Sequence, residues 1–465
     1  MPDIGPQSAN SLAIEKITIT ADRGFVNSAD TIEIQLMTDE LAIYEHIDLP
    51  YLTAKMTLSD TRELNTRINF QGTERVEVTL SIPGNEAKRV TKNFMITHIE
   101  NITPTNDTSE TMILSMIEEH FYYSEANAIS RAFAGKPEEI IEEILQNDLQ
   151  LQVERRLTGP SRQRPIRVVI PYWSPLNTAR WLRNRATTEY GMPFYLYSSL
   201  NSENLIMTDL EYLIGEQNQP MNNGREYLYG QAFTQSADAA SVIDQSFIIE
   251  KYQIARANDG FRMLTEGVVN SRYNFINTLT NQSLIADNIR ETDKTAMEDL
   301  VTRNVISPTL GKIYDPDLEF NDRSIYDYTA SSITQIVTSN SFEDNFLNYY
   351  EEENPYDYRI THVRPQIYRK YMTKTPISFV APGYNFLGPD AGSVGSKINL
   401  LILKNDQDIY EGRSIDAATD SKRSGAHIIY SMRHVLSAND YRVSITAGRL
   451  NEGEGLFSAP ERGIG

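Results

Sequence analysis

The sequence has no cysteine, so disulfides, thiolate metal sites and a thiol nucleophile are all excluded. That absence suits assembly in a reducing cytoplasm. Tryptophan is scarce, with only Trp173 and Trp181 in 465 residues. Long apolar runs are also missing: stretches such as Ile398 to Leu403 fall far short of the roughly 20 residues that span a bilayer. No membrane span is expected. Residues Met1 to Asn10 carry Asp3 and neither a basic cluster nor an apolar stretch, so no leader is expected. Basic residues are in deficit, 43 Lys and Arg against 63 Asp and Glu, for a formal net charge of -20. Broad attraction to phosphates needs the opposite balance, so specific nucleic-acid binding is not expected. The plain reading of the acidity is solubility.

What is present is an ordinary globular composition, 40% hydrophobic and 23% charged, in a chain long enough for about three domains. From Leu12 to about Met116 the pattern is that of successive strands. Alternation recurs in Ile17 to Thr20, Thr31 to Leu36 and Val76 to Leu80, with further strands at Tyr51 to Ser59, Lys92 to Glu100 and Thr111 to Ile117. Turns are expected at Pro83-Gly84-Asn85 and Pro104-Thr105-Asn106-Asp107.

The period then changes. Pro137, Glu138 and Glu139 open an amphipathic helix with Ile140, Ile141, Ile144 and Leu145 on one side. A strand Ile166 to Ile170 leads to Ser174, an expected N-cap, and Pro175 at the first helical position. Leu176, Ala179, Leu182 and Ala186 share a stripe, Gly191 is placed to close the helix, and strands follow at Pro193 to Tyr197 and Asn204 to Thr208. This predicts a small α/β unit built strand, helix, strand, strand. Farther on, Phe247 to Ile254 is apolar, Asn258-Asp259-Gly260 is a turn, and Ser271 to Thr280 follows Gly267. Ile289 to Tyr358 is polar and acidic, with the cluster Glu351-Glu352-Glu353. Strands return at Ile377 to Val380, Ile398 to Leu403, His427 to His434 and Tyr441 to Thr446, and the Gly- and Pro-bearing end from Asn451 to Gly465 is expected to be a mobile tail.

No nucleophile elbow, phosphate loop or metal spacing occurs. Gly383 to Gly395 is rich in glycine but lacks the Lys-Ser/Thr ending of a phosphate loop, so it is expected to be a turn region. Asp315, Asp317 and Glu319 alternate like calcium ligands, yet Phe320 and Tyr326 stand where such a loop needs Gly and Glu. His98, His427 and His434 fall on expected strands rather than in a ligand pair. Glu118 and Glu119, taken as neighbours on a strand, would point to opposite faces and do no joint acid-base work. Trp181 is expected to pack against the adjoining sheet, and Trp173 to brace the same junction, in preference to serving as contacts.

The segment Pro171-Tyr172-Trp173-Ser174-Pro175-Leu176-Asn177-Thr178-Ala179-Arg180-Trp181-Leu182, continuing through Arg185-Ala186 and Gly191-Met192-Pro193-Phe194-Tyr195-Leu196-Tyr197, resembles the baseplate central hub proteins of T-even-type contractile-tailed bacteriophages. Their pattern is a short helix with a Trp-Leu-x-x-Arg-Ala core followed by a Gly-x-Pro-aromatic strand. Gly267 to Phe275, with Ser271-Arg272, and Pro382 to Leu403 followed by Ser424 to His434 are similar to further parts of that family. The acidic stretch 289–358 looks longer than a minimal hub requires.

The resemblance implies an α+β, β-rich fold with two tail-tube-like β-barrels. The expected division is a first barrel at 1–125, a small α/β domain at 126–228, a mixed region at 229–340 contributing to the second barrel, that barrel at 341–450, and the tail at 451–465. It implies a homotrimer whose six barrels match a sixfold tail tube. Implied partners are a trimeric central spike, tube-initiating and tube proteins, and a tape-measure protein, in a virion baseplate assembled in the host cytoplasm. It implies no enzyme, no cofactor and no metal. A wall-degrading tail hydrolase and a tail-fibre or receptor-binding module are the alternatives. Part of the acidity is expected to line a channel and repel passing DNA over about 8 to 10 Å, a Debye length at physiological salt.

Overall fold

In the computed structural model, a period of two sets the first strands. Val76, Val78, Leu80 and Ile82 are buried on one face of Arg75–Ile82, while Arg75 and Glu77 lie on the other. The structure describes residues 8–11, 13–21, 31–64, 68, 70–106, 109–161, 165–230, 241–254, 260–265, 271–277, 282–287, 319–324, 332–338, 364–373, 375–404, 419–420, 423–437 and 440–448. The expected acidic cluster Glu351-Glu352-Glu353, Asp315, Asp317, Asn258, Asp259, Gly267 and the tail 451–465 lie outside them.

The first part holds β1 (Ala13–Thr20), β2 (Thr31–Glu33), β3 (Thr38–His46), β4 (Thr53–Asp60), β5 (Arg75–Ile82), β6 (Asn85–Asn106) and β7 (Ser109–Glu118). The middle holds α1 (Glu119–Ala126), β8 (Ala132–Gly135), α2 (Pro137–Leu149), β9 (Val153–Arg156), β10 (Ile166–Val169), α3 (Pro175–Arg183), β11 (Phe194–Tyr197), β12 (Leu205–Asp209) and α4 (Leu210–Ile214). Next come β13 (Glu226–Tyr229), α5 (Val242–Gln245), β14 (Lys251–Ile254), α6 (Gly260–Thr265), β15 (Ser271–Asn277), β16 (Gln282–Asp287), β17 (Glu319–Phe320), β18 (Arg323–Ser324) and β19 (Ser332–Thr338). The last described elements are α7 (Arg364–Met372), β20 (Ile377–Pro382), β21 (Lys397–Ile402), β22 (Gly425–Ser437) and β23 (Asp440–Gly448). Among the described residues no helix is long and apolar enough to cross a membrane.

The protein is β-rich, and its largest sheet has 13 strands, in the order β14-β20-β23-β22-β3-β4-β7-β6-β5-β1-β2, with β21 on β22 and β13 on β21. Pairing along the path is antiparallel, and only β13 meets β21 in parallel. One strand joins the early and late parts of the chain. The start of β22, Gly425 to Ile428, pairs with β21, and its later residues Ser431 to Leu436 pair with β3. The β23 ladder on the other edge shifts register between Ile429 and Ser431, where the partner changes.

Several expectations need correction. Strand β3 escaped the sequence pattern because Asp39, Glu40, Glu45 and His46 interrupt its apolar residues, although Leu41 and Ile43 are fully buried. The turn expected from Pro104 does not begin there: β6 runs on to Asn106 through register shifts at Glu100/Thr103 and Pro104/Asn106, irregularities at which a missing proline N–H is tolerated. The small α/β unit is wired differently. Its first strand, β10, pairs with β8, while β11, β12 and β9 form a separate three-stranded sheet with β12 parallel to β9. Helix α3 ends at Arg183, short of Ala186, and Gly191 (φ 82°) belongs to the later turn in which its N–H donates to Thr188 O. Strands β15, β16 and β19 form their own sheet, whereas β14 extends the large one.

Candidate interaction surface

Helix α3 shows why the middle unit folds as it does. Pro175 supplies a preset first turn, and Leu176, Ala179 and Leu182 are buried with Ile140, Ile141, Ile144 and Leu145 of α2 and with Leu196 and Met207 of the three-stranded sheet. Ser174 holds the N-cap position, but its side chain does not cap. Its hydroxyl donates to Glu125 Oε1 at 2.9 Å, and the Leu176 N–H donates to Ser124 Oγ at 3.0 Å instead. The end of α1 thus caps the start of α3.

At that junction opens a cleft of about 530 Å³, lined by Glu125, Asn127, Tyr172, Trp173, Asn177 and Trp181. Tyr172 has φ 59°, a left-handed backbone costing a non-glycine residue roughly 1–2 kcal/mol, and the residue is 76% exposed. The indoles of Trp173 and Trp181 meet edge to face at 5.8 Å, and the Arg185 guanidinium lies 3.6 Å from the centre of the Trp181 ring. Trp181 packs on the α2–α3 core as expected from the sequence, and Trp173 braces the junction through its bridge to Ile129. Both rings also wall the cleft, which the packing expected of them did not include.

The middle unit is tied to the large sheet through ion pairs and hydrogen bonds of the part-exposed Asp48 and the buried Glu118 and Glu45. Asp48, following β3, takes ion pairs from Arg183 of α3 (3.2 Å) and from Arg369 of α7. Burial pushes the Asp48 carboxyl up, but the Arg369 and Arg183 guanidiniums outweigh it and hold it below the usual carboxylate range. Glu118, ending β7, pairs with Lys92 at 3.2 Å and accepts the Leu52 N–H at 2.8 Å, while Lys92 Nζ reaches Ser202 O at 2.6 Å. Burial raises the Glu118 carboxyl less than His120, Lys92 and its hydrogen bonds lower it, so it too titrates low. A third group joins Glu45 of β3, His434 of β22 and Tyr441 of β23, with His434 Nδ1 2.8 Å from the Tyr441 hydroxyl.

The other residues singled out in the sequence do not converge. His98 is exposed and bonds to Thr97 and Glu100, and His427 Nδ1 lies 2.9 Å from Gly425 O. Among the described residues no three His, Asp or Glu side chains gather as metal ligands would. Glu118 and Glu119 are not strand neighbours: the first ends β7 and the second starts α1 and pairs with Arg75. The segment Gly383 to Gly395 is a packed turn region. A Cβ on Gly383 would sit 2.0 Å from the Tyr441 ring, so glycine is there for close approach. Its Phe386, Leu387 and Val394 are fully buried.

No family model matches the sequence, and no curated protein matches it. Solved structures do. A tail protein from Neisseria meningitidis MC58 is similar at 9% identity and a TM-score of 0.47, over 93% of this chain and 96% of that one. The 43 kDa tail protein of prophage MuSo2 from Shewanella oneidensis is similar at 11% identity and a TM-score of 0.47, over 94% of this chain and 98% of that one. The E. coli c3393 protein, a type VI secretion component with structural similarity to T4 bacteriophage tail proteins gp27 and gp5, is similar at 9% identity and a TM-score of 0.40, over 90% and 76%. These structural neighbours of the chain are phage tail and type VI secretion proteins.

Proposed function

We propose that this chain is a structural subunit of a bacteriophage tail, the baseplate hub, and that it assembles as a homotrimer between a sixfold tube and a threefold spike. The observation that carries the reading is β22. Within one sheet it joins antiparallel strands from the first 118 residues to strands drawn from residues 226–448. Two tube-like modules in one subunit give six in a trimer, as a sixfold tube requires. The domain division at 125, 228, 340 and 450 belongs to this proposal, as do closure of each module into a barrel, the tape-measure contact and a baseplate location.

The polar groups described here support a structural role. Asp48, Glu118 and Glu45 are each taken up by hydrogen bonds or ion pairs that join segments distant in sequence. On this reading the chain has no catalytic residue, cofactor or metal. The solvent face of the large sheet carries cross-strand pairs of opposite charge, Lys16–Glu77, Lys55–Glu100 and Arg433–Glu40. That part of the acidic excess lines the channel and repels passing DNA belongs to this proposal as well.

Light scattering coupled to size exclusion tests the reading. A particle of three 52.9 kDa subunits is expected, with the spike protein added if needed. A strict monomer at high concentration, unchanged by the spike protein, would overturn it. Cell-wall lysis by the isolated chain, lost on substitution of one carboxylate, would favour the hydrolase instead.

A further inference from the structure

We propose that the cleft between α1 and α3 is a docking site for an arginine side chain of a partner protein, received by the Glu125 carboxylate beside the faces of Tyr172 and Trp173. The inference goes beyond the hub reading and does not rest on it. Its first support is charge. Glu125 is exposed at the cleft and accepts from Ser174 Oγ at 2.9 Å and Asn177 Nδ2 at 3.2 Å, both on Oε1. Among the described residues no basic side chain pairs with it, and Oε2 has no donor there. Glu125 also stands in the last turn of α1, a helix end that carries partial negative charge and has no basic residue of its own.

The second support is the kind of polar atom the walls present. Asn127 donates its amide N–H to Asp148 O at 3.4 Å, and Asn177 donates to Glu125 and to Ser174 Oγ at 2.7 Å. Their amide oxygens are acceptors, with orientations fixed by those bonds. The carboxylate and these amide oxygens give the cleft acceptors for a cationic donor. A planar guanidinium, with five N–H donors and no acceptor, matches them.

The third support is aromatic. Tyr172 and Trp173, 76% and 37% exposed, both line the cleft, and the face of an aromatic ring attracts cations through its quadrupole. The same cluster already holds one guanidinium, Arg185 over Trp181. The volume of about 530 Å³ lies within the range of about 300–1,000 Å³ of sites that take small ligands.

The two tryptophans of the chain both line this cleft, so tryptophan emission, excited to the red of the tyrosine band, is the signal to follow. The probe is an end-blocked Gly-Gly-Arg-Gly-Gly peptide, compared with its Lys and citrulline counterparts up to millimolar concentration. The arginine peptide is expected to change the emission saturably and less so at high salt. The lysine peptide binds more weakly, and citrulline leaves the emission unchanged. Glu125→Gln weakens binding by about tenfold, equivalent to about 1.4 kcal/mol. Tyr172→Asn, which tolerates the left-handed backbone and so keeps the fold by circular dichroism, weakens it as well. The proposal is overturned if citrulline binds equally, if lysine binds more tightly than arginine, if Glu125→Gln binds as tightly as the parent, or if no peptide changes the emission. None of these results alters the mass of the assembly, so the trimer is judged separately.

Discussion

Oε1 of Glu45 on β3 lies 3.3 Å from Nε2 of His434 on β22, a contact between fully buried side chains 389 residues apart in sequence. The same carboxylate accepts the Leu200 N–H at 2.6 Å and the Val394 N–H at 3.3 Å. One side chain therefore gathers the early strands, the middle unit and the late strands. Glu45→Ala strands two buried N–H donors, each costing about 1–3 kcal/mol when left unpaired. Urea unfolding should show a loss of roughly 2–5 kcal/mol. A loss below about 0.5 kcal/mol, as at an ordinary surface position, would contradict this.

Leu182 is fully buried between α2 and the three-stranded sheet. Leu182→Ala should cost about 2–5 kcal/mol, and Trp181 emission is the local probe because that ring packs on the same core. A near-neutral result would mean that the helix face is misassigned.

Gly383→Ala brings a methyl group to within 2.0 Å of the Tyr441 ring. The ring is fully buried and cannot swing into solvent, so overpacking should cost about 1–3 kcal/mol. Pairing the substitution with Tyr441→Ala should recover part of the Gly383→Ala penalty in a double-mutant cycle. Strict additivity would count against the contact.

Acidity has two opposing effects on stability. Burial pushes Glu211 from 4.5 up to about 7 and Asp209 from 3.8 up to about 6. In the intervening pH range the folded protein binds protons that the unfolded chain has released, so these groups favour unfolding increasingly as pH rises through that window. Glu211→Gln should reduce the stability difference between pH 5 and pH 8 by on the order of 3 kcal/mol. Asp48 and Glu118 are shifted downward, so their contribution is present at neutral pH and is lost as pH falls through their folded values. Denaturant midpoints across pH, compared between parent and variant, provide the check.

Much of the local structure was legible in the residues. The alternation of Val76 to Leu80 gave β5, the glycine of Pro83-Gly84 gave the turn into β6, and Ile140, Ile141, Ile144 and Leu145 gave the buried face of α2. The strand β3 was not legible, because its carboxylates read as solvent-facing and only the interior reveals that Glu45 is paired. Nor was the Ser124 cap on α3, since Ser174 satisfied the local rule and the hydroxyl that caps belongs to another helix.

The sequence by itself determined which residues alternate, which helix face is apolar and that no cysteine chemistry is available, because these depend on side-chain type and on periods of two and 3.6 residues. Only the tertiary structure decided that β22 exchanges β21 for β3 along its length, that Asp48 is shared by Arg183 and Arg369, and that Trp173, Trp181 and Glu125 face one cleft. The physical reason is range. Strand choice and burial of charge are fixed by partners tens to hundreds of residues away, which meet only once the core has closed and no local pattern can specify which of them will be near.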